Sequence, residues 1–267
     1  MKKVVVIGVS LLFLWELLKN NDNVNSETKK NRKIIFFKND ELEGLGAITK
    51  NGSSIIIPAV KDSFYKTNDL PVLKTTLSKI SNNYYKELTQ TEKLTNVPAP
   101  LILSYLFAES AGKKDTISKS GAVGLMQLKP TAAASIIYLE NKKKRLSEQE
   151  KAIIVKHIGQ DRFNKIIRMK NMSEITPDMI TKNDLFIPEL NILIGAIYLG
   201  LLIDEHTENN KIRLDKVTMR YNRGYFFKPK GINEIETLIQ AKKLSPETYA
   251  YILKITGKNG LLEMQQA

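Results

Sequence analysis

The stretch Glu109–Gln127 reads "ESAGKKDTISKSGAVGLMQ", and the order of its parts decides the fold. An apolar run, "LILSYLFA" (Leu101–Ala108), leads into Glu109 with helical periodicity, which places the acid on a helix. Leu106 and Phe107 lie just behind it and supply an apolar surround. A carboxyl in such a surround has its pKa raised, because desolvation disfavours the charged form. The result is a general acid usable near neutral pH. Gly121 and Gly124 allow tight backbone approach, and Gln127 brings both a donor and an acceptor.

Further blocks follow: "PELNILIGAIYL" (Pro188–Leu199), "YNRG" (Tyr221–Gly224) and "PETYAYI" (Pro246–Ile252). With Glu109, Ser110, Ser118, Gly121, Ala122, Gly124, Leu125, Met126, Gln127, Pro130, Thr131 and Ala132, they resemble the soluble lytic transglycosylase (SLT) catalytic domain. That family belongs to the lysozyme-like superfamily and cuts peptidoglycan glycan strands. Its pattern runs Glu-Ser, a spacer, Ser, then Gly-Ala-x-Gly-Leu-Met-Gln, Pro and Thr-Ala, and it is met here without insertion or deletion. Ordered blocks across this much of the chain are a far more specific signal than one Glu-Ser pair.

The expected fold is mainly α, lysozyme-like within the α+β superfamily, with a helical catalytic domain around a buried central helix. "LNILIGAIYLGLLI" (Leu190–Ile203) is apolar nearly all round and reads as that buried helix rather than a membrane span. Residues 72–94 read as one helix, with Leu73, Leu77, Ile80 and Tyr84 on a common face, stopped by "VPAP" (Val97–Pro100). Residues 34–71 form a small β-containing N-terminal segment: "IIFF" and "SSIIIPAV" are strand-like, with Asn51-Gly52 as a hairpin-type turn. The catalytic domain then covers 72–267. It includes a basic helical insertion, 139–186, read as a solvated insertion in preference to a groove wall or docking surface.

The N-terminus has the layout of an export signal. Lys2 and Lys3 precede an apolar run from Val4 to Trp15. The span Val4–Leu18 reaches roughly 22 Å as a helix, short of a ~30 Å hydrocarbon core. No Ala-x-Ala follows, so residues 1–18 are expected to be a signal peptide or short membrane anchor, with 19–33 a flexible linker. The rest of the chain is then expected to be exported to the periplasm or cell envelope, tethered to the inner membrane where the N-terminal segment is retained. The alternative is an amphipathic or core helix at the start of the fold.

The chain has 267 residues, a formal net charge of +13 and no cysteine. Disulfides and thiolate metal sites are excluded. The charge favours an acidic partner, though simple solvation of a lysine-rich surface explains it equally well. His157 and His206 lack ligand spacing, "GAVG" is not followed by a phosphate-loop Lys, and no metal or cofactor is expected. Nucleic-acid binding has only the charge behind it and is not expected.

Glycoside hydrolases usually place two carboxylates across the scissile bond. Asp115, Glu189 and Glu247 are not read as catalytic, which leaves Glu109 alone. The resemblance implies substrate-assisted chemistry. Glu109 acts as acid and then base at the MurNAc-β-1,4-GlcNAc bond, leaving a 1,6-anhydro-MurNAc end. It also implies substrate contacts at Ser118, Met126 (through its backbone), Gln127, Tyr221, Asn222 and Tyr251, with the Tyr251 hydroxyl near the acid and Tyr221 mainly packing. Gly112 departs from a usually aromatic position and is expected to widen the cleft. Thr116, Arg220, Arg223 and Tyr249 also depart from the pattern. The expected partners are peptidoglycan strands, the membrane through the N-terminus, and envelope or secretion-system proteins. A hydrolytic muramidase of the same fold and a wall-binding component of a secretion or conjugation assembly are the alternatives.

Overall fold

A computed structural model of the chain describes residues 62–208, 211–225, 227, 242 and 245–265, with the backbone of three short strands between 35 and 56. The export segment and linker expected over 1–33 lie outside the described residues.

The strands are β1 (Ile35–Phe37), β2 (Gly46–Thr49), β3 (Ser54–Ile56), β4 (Thr207–Glu208) and β5 (Lys211–Arg213). The helices are α1 (Leu70–Asn83), α2 (Tyr85–Thr95), α3 (Ala99–Ser110), α4 (Pro130–Lys142), α5 (Glu148–Ile158), α6 (Gln160–Ile167), α7 (Lys182–Leu185), α8 (Pro188–Glu205), α9 (Leu214–Arg223), α10 (Pro246–Thr256) and α11 (Leu261–Met264). The fold is mainly helical, as its sequence pattern requires.

Every residue from Leu190 to Ile203 in α8 is buried. A helix without a polar face is stable in water only when neighbours surround it. α2, α4, α5, α7 and α9 all pack on it. Pro188 in the first turn suits the helix start, since its missing N–H would be unpaired there anyway. α5 and α7 begin with reciprocal capping boxes, Ser147 with Glu150 and Thr181 with Asp184.

Two features differ from the sequence reading. The helix expected over 72–94 is two helices, broken at Tyr84 (φ −118°, ψ 24°). Ser81, Asn82 and Asn83 favour local side-chain to backbone bonds over helix. The Tyr84 hydroxyl also donates to the Gly112 carbonyl at 3.0 Å, tying the break to the loop after α3. The second feature is the sheet. β2 and β3 pair antiparallel on either side of Asn51-Gly52, and β3 continues in parallel onto β5, with Ile55 opposite Ile212. Strands from 207–213 thus join the N-terminal ones in the order β1-β2-β3-β5-β4.

The 139–186 segment contributes Ile153, Ile154, Ile158, Phe163 and Ile166 to the core. Ion pairs tie it together and to α8. Arg145 holds Glu140 and Asp204, Arg162 grips Asp184 bidentately at 2.6 and 3.0 Å, and Lys156 and His157 share Glu189 at 2.6 and 2.7 Å. Among the described residues, no helix is long and apolar enough to cross a membrane.

Candidate active site

Glu109 sits in the last turn of α3. Ala111 (φ 49°) closes the helix in the left-handed conformation, its N–H bonded to the Phe107 carbonyl, and Gly112 (φ 78°) turns the chain away. The loop that follows is a set of interlocked turns. Ser118 and Ala122, Val123 and Leu128, and Gly124 and Thr116 pair through backbone bonds of 2.8–3.1 Å.

Gly124 shows why glycine is required here. Its φ is +79°, and an added Cβ would stand 2.3 Å from the Leu185 carbonyl oxygen and 2.4 Å from Asn191 Nδ2. Asn191, on α8 and 0% exposed, organises the loop. Its Oδ1 accepts the Met126 N–H at 2.7 Å, and its Nδ2 donates to the carbonyls of Val123 (3.0 Å) and Leu185 (2.8 Å). One buried amide thereby satisfies the Met126 N–H and the Leu185 carbonyl, and adds a second bond to the Val123 carbonyl, which also accepts the Leu128 N–H.

A cleft of about 460 Å³ opens in front of this loop, and Glu109, Ser118, Gln127, Tyr221 and Asn222 line it together. Ser118 Oγ accepts from the Ala122 N–H at 3.0 Å. Gln127 (φ 47°) donates to the Thr116 and Gly124 carbonyls at 3.1 and 2.8 Å, so its amide fixes the turn while bordering the cleft. Asn222 Oδ1 accepts from Thr248 Oγ1 at 2.8 Å, which fixes the Asn222 amide against α10.

Met126 is wholly buried and does not line the cleft. Its N–H is committed to Asn191, and its carbonyl accepts the Tyr221 hydroxyl at 3.0 Å. The structure thus sets Met126 behind the cleft, with both of its backbone groups bonded inside the protein.

Tyr251, from α10, donates its hydroxyl to Glu109 Oε1 at 2.6 Å. Burial pushes the Glu109 carboxyl up from 4.5 to about 7; the Tyr251 bond and the Lys254 charge oppose the rise, and Glu247 adds to it. Tyr251 itself is held well above 10 by burial and by the neighbouring Glu109 charge, so it remains a donor. Behind the acid, Tyr105 packs on Tyr221 (centroids 4.8 Å apart) and edge-on to Tyr251 (6.3 Å), and Tyr198 packs on Tyr221 (5.1 Å). This apolar ring packing, with Tyr105 anchored to Thr218 at 2.7 Å, is the desolvating wall.

The sequence reading did not place Glu247 in the cleft, yet it lines the cleft from the first turn of α10. Tyr105 also escaped that reading; its position one turn before Glu109 was the available signal. Gly112 does not widen the cleft. It faces Ile80, whose Cγ1 would be 2.7 Å from an added Cβ, and its φ suits glycine. Of the other departures, Arg220 pairs with Glu205 at 2.5 Å, Arg223 lines the cleft, and Tyr249 donates to Asp62 at 2.7 Å.

Residues 87–155 match the family described as Transglycosylase SLT domain. Two relatives from Buchnera aphidicola are each named membrane-bound lytic murein transglycosylase E. That of Buchnera aphidicola subsp. Baizongia pistaciae (strain Bp) is 26% identical over 186 residues, covering 68% of this chain and 67% of the relative. That of Buchnera aphidicola subsp. Acyrthosiphon pisum (strain APS) is 32% identical over 123 residues, covering 43% of this chain and 56% of the relative. The matched family segment spans Glu109, the glycine turns and Gln127, and through it this chain carries a transglycosylase SLT domain.

Proposed function

We propose that the chain is a peptidoglycan lytic transglycosylase that cleaves the MurNAc-β-1,4-GlcNAc bond. The observation that carries the reading is a carboxyl poised at about 7, set in a cleft and bonded by Tyr251. Such a group is protonated often enough to act as an acid and ionised easily enough to act as a base afterwards. Glu109 gives its proton to the glycosidic oxygen as that bond to the anomeric carbon breaks. The N-acetyl oxygen of the same muramic acid closes on the anomeric carbon. The Glu109 carboxylate then takes the proton of the C6 hydroxyl, whose oxygen displaces the N-acetyl oxygen and leaves a 1,6-anhydro ring. The Tyr251 O–H steadies the carboxylate between the two steps.

Ser118, Gln127 and Asn222 are proposed to orient the glycan. The two relatives are named membrane-bound, which supports a location at the cell envelope. We extend that location to this chain, with the N-terminal segment as its tether and envelope assembly proteins as further partners.

A second reading has one observation in its favour. Glu247 lines the cleft with Glu109, and a paired carboxylate is what a hydrolytic muramidase uses to direct water. Mass spectrometry of digested sacculi separates the two. Anhydro-muramic products with wild-type protein, and none with Glu109→Gln, support the transglycosylase. Reducing ends that carry a solvent oxygen-18 label, lost in Glu247→Gln, support the hydrolase.

A further inference from the structure

Glu109 borders a second pocket, of about 490 Å³, which shares no other lining residue with the cleft. Phe64, Tyr65, Lys113 and Lys254 line it, together with the end of α3. Phe64 and Tyr65 precede the matched family segment, so this wall is built by a part of the chain outside it.

The wall is held in place. Asp62 accepts the Tyr249 hydroxyl at 2.7 Å, Ser63 forms a bridge with Lys258, and Phe64 meets Tyr65 edge-on at 5.0 Å. Lys254 Nζ lies 4.8 Å from the Phe64 ring centroid, an arrangement that positions both the cation and the ring. Phe64 is 42% exposed, so part of its ring remains open to a ligand. The pocket therefore offers an aromatic face and two ammonium groups a short way from the proposed reacting acid. Its only carboxylate neighbour among the lining residues is Glu109 itself.

Resting on the transglycosylase reading, we infer that this second pocket receives the acidic peptide carried on the lactyl ether of muramic acid. Lys113 and Lys254 meet its carboxylates, and Phe64 and Tyr65 pack on its aliphatic parts. The chemistry of the pocket favours this occupant over bare sugar. A neutral glycan gives two ammonium groups nothing to neutralise, whereas a stem peptide supplies carboxylates on a flexible arm. The chain would thus select strands that still bear their peptides.

The test is equilibrium binding of short glycan fragments, with and without their peptides, to the full chain carrying Glu109→Gln, so that fragments stay intact. Peptide-bearing fragments should bind about ten-fold tighter, the scale of one or two charge-assisted contacts. Lys113→Ala and Lys254→Ala, each added to that protein, should bring the ratio towards one, and Phe64→Ala should lower it. Lys113 is exposed, so its variant reads even if a change at half-buried Lys254 disturbs folding. Equal affinity for the two fragments overturns the inference, as does a Phe64→Ala loss that is the same for both, which would mark a sugar site instead. Cleavage of peptide-free strands by wild-type protein is read separately. If anhydro products appear there while the affinities are equal, the pocket assignment falls and the transglycosylase reading stands. If no strand is cleaved, that reading falls.

Discussion

A glutamic acid with its pKa near 7 is a local liability as well as a tool. In the unfolded chain the carboxyl ionises at its ordinary 4.5, and in the folded protein at about 7. Between those values the folded state holds a proton that the unfolded state has released. Stability from this group is therefore greatest below pH 4.5 and is lost as pH rises to 7, at most roughly 3 kcal/mol in all. Glu109→Gln removes the penalty and keeps a group that can accept from Tyr251. We expect the variant to melt about 5 °C higher than wild type at pH 8 and at the same temperature at pH 4, read by calorimetry. Its glycan cleavage should fall by at least ~100-fold. Tyr251→Phe removes a bond that favours the ionised acid, so the alkaline limb of the pH–rate profile should move to higher pH; an unmoved limb would show that the 2.6 Å contact does not tune Glu109. The acid and its apolar lead were legible because Leu106, Phe107 and Glu109 are neighbours in sequence. Glu247 was not, because its place in the cleft depends on how α10 docks on α9, a contact between elements that no local pattern encodes.

At the scale of elements, the active loop is clamped to the central helix by a few tight contacts. Asn191→Leu keeps the volume, strands the Met126 N–H and the Leu185 carbonyl in a dry interior, and removes one of the two bonds to the Val123 carbonyl. The expected loss is ~2–4 kcal/mol in urea unfolding, with kcat falling along with stability as the loop loosens. Gly195→Ala tests the same joint from the helix side. Its Cβ would meet the Met126 side chain at 2.7–2.9 Å, and Met126 is wholly buried, so a cost of about 1–3 kcal/mol is expected in the same assay. The central helix was legible because fourteen consecutive buried residues leave an apolar signature that no surface helix has. The break at Tyr84 was hidden because Leu73, Leu77, Ile80 and Tyr84 keep one helical face across the early part of it; the decisive bond is to Gly112, 28 residues away. β5 was hidden for a related reason. A three-residue strand has too few positions to show alternation, and Lys211–Arg213 becomes a strand by lying beside β3.

Across the whole molecule, the formal charge of +13 acquires a direction from where the cations stand. Lys156, Arg162, Lys165 and Arg220 are engaged with carboxylates on the helical frame. Lys129 and Arg223 line the cleft, and Lys113 and Lys254 line the second pocket, against Glu109 and Glu247. The surface that meets the strand is thus net positive even before the rest of the chain is counted. An anionic wall polymer is drawn to such a surface over a distance set by screening, with a Debye length of about 10 Å at 0.1 M salt and about 3 Å at 1 M. Raising salt from about 0.05 M to about 0.5 M should therefore raise KM for intact sacculi by roughly ten-fold while leaving kcat nearly constant, since the proton transfers occur inside a desolvated site that salt does not reach. Peptide-free strands, which lack the anionic arms, should show a much smaller change. If KM is flat for both substrates, the charge is only a solvated lysine-rich surface. If instead kcat falls steeply with salt, the site is more open to water than the elevated pKa of Glu109 implies.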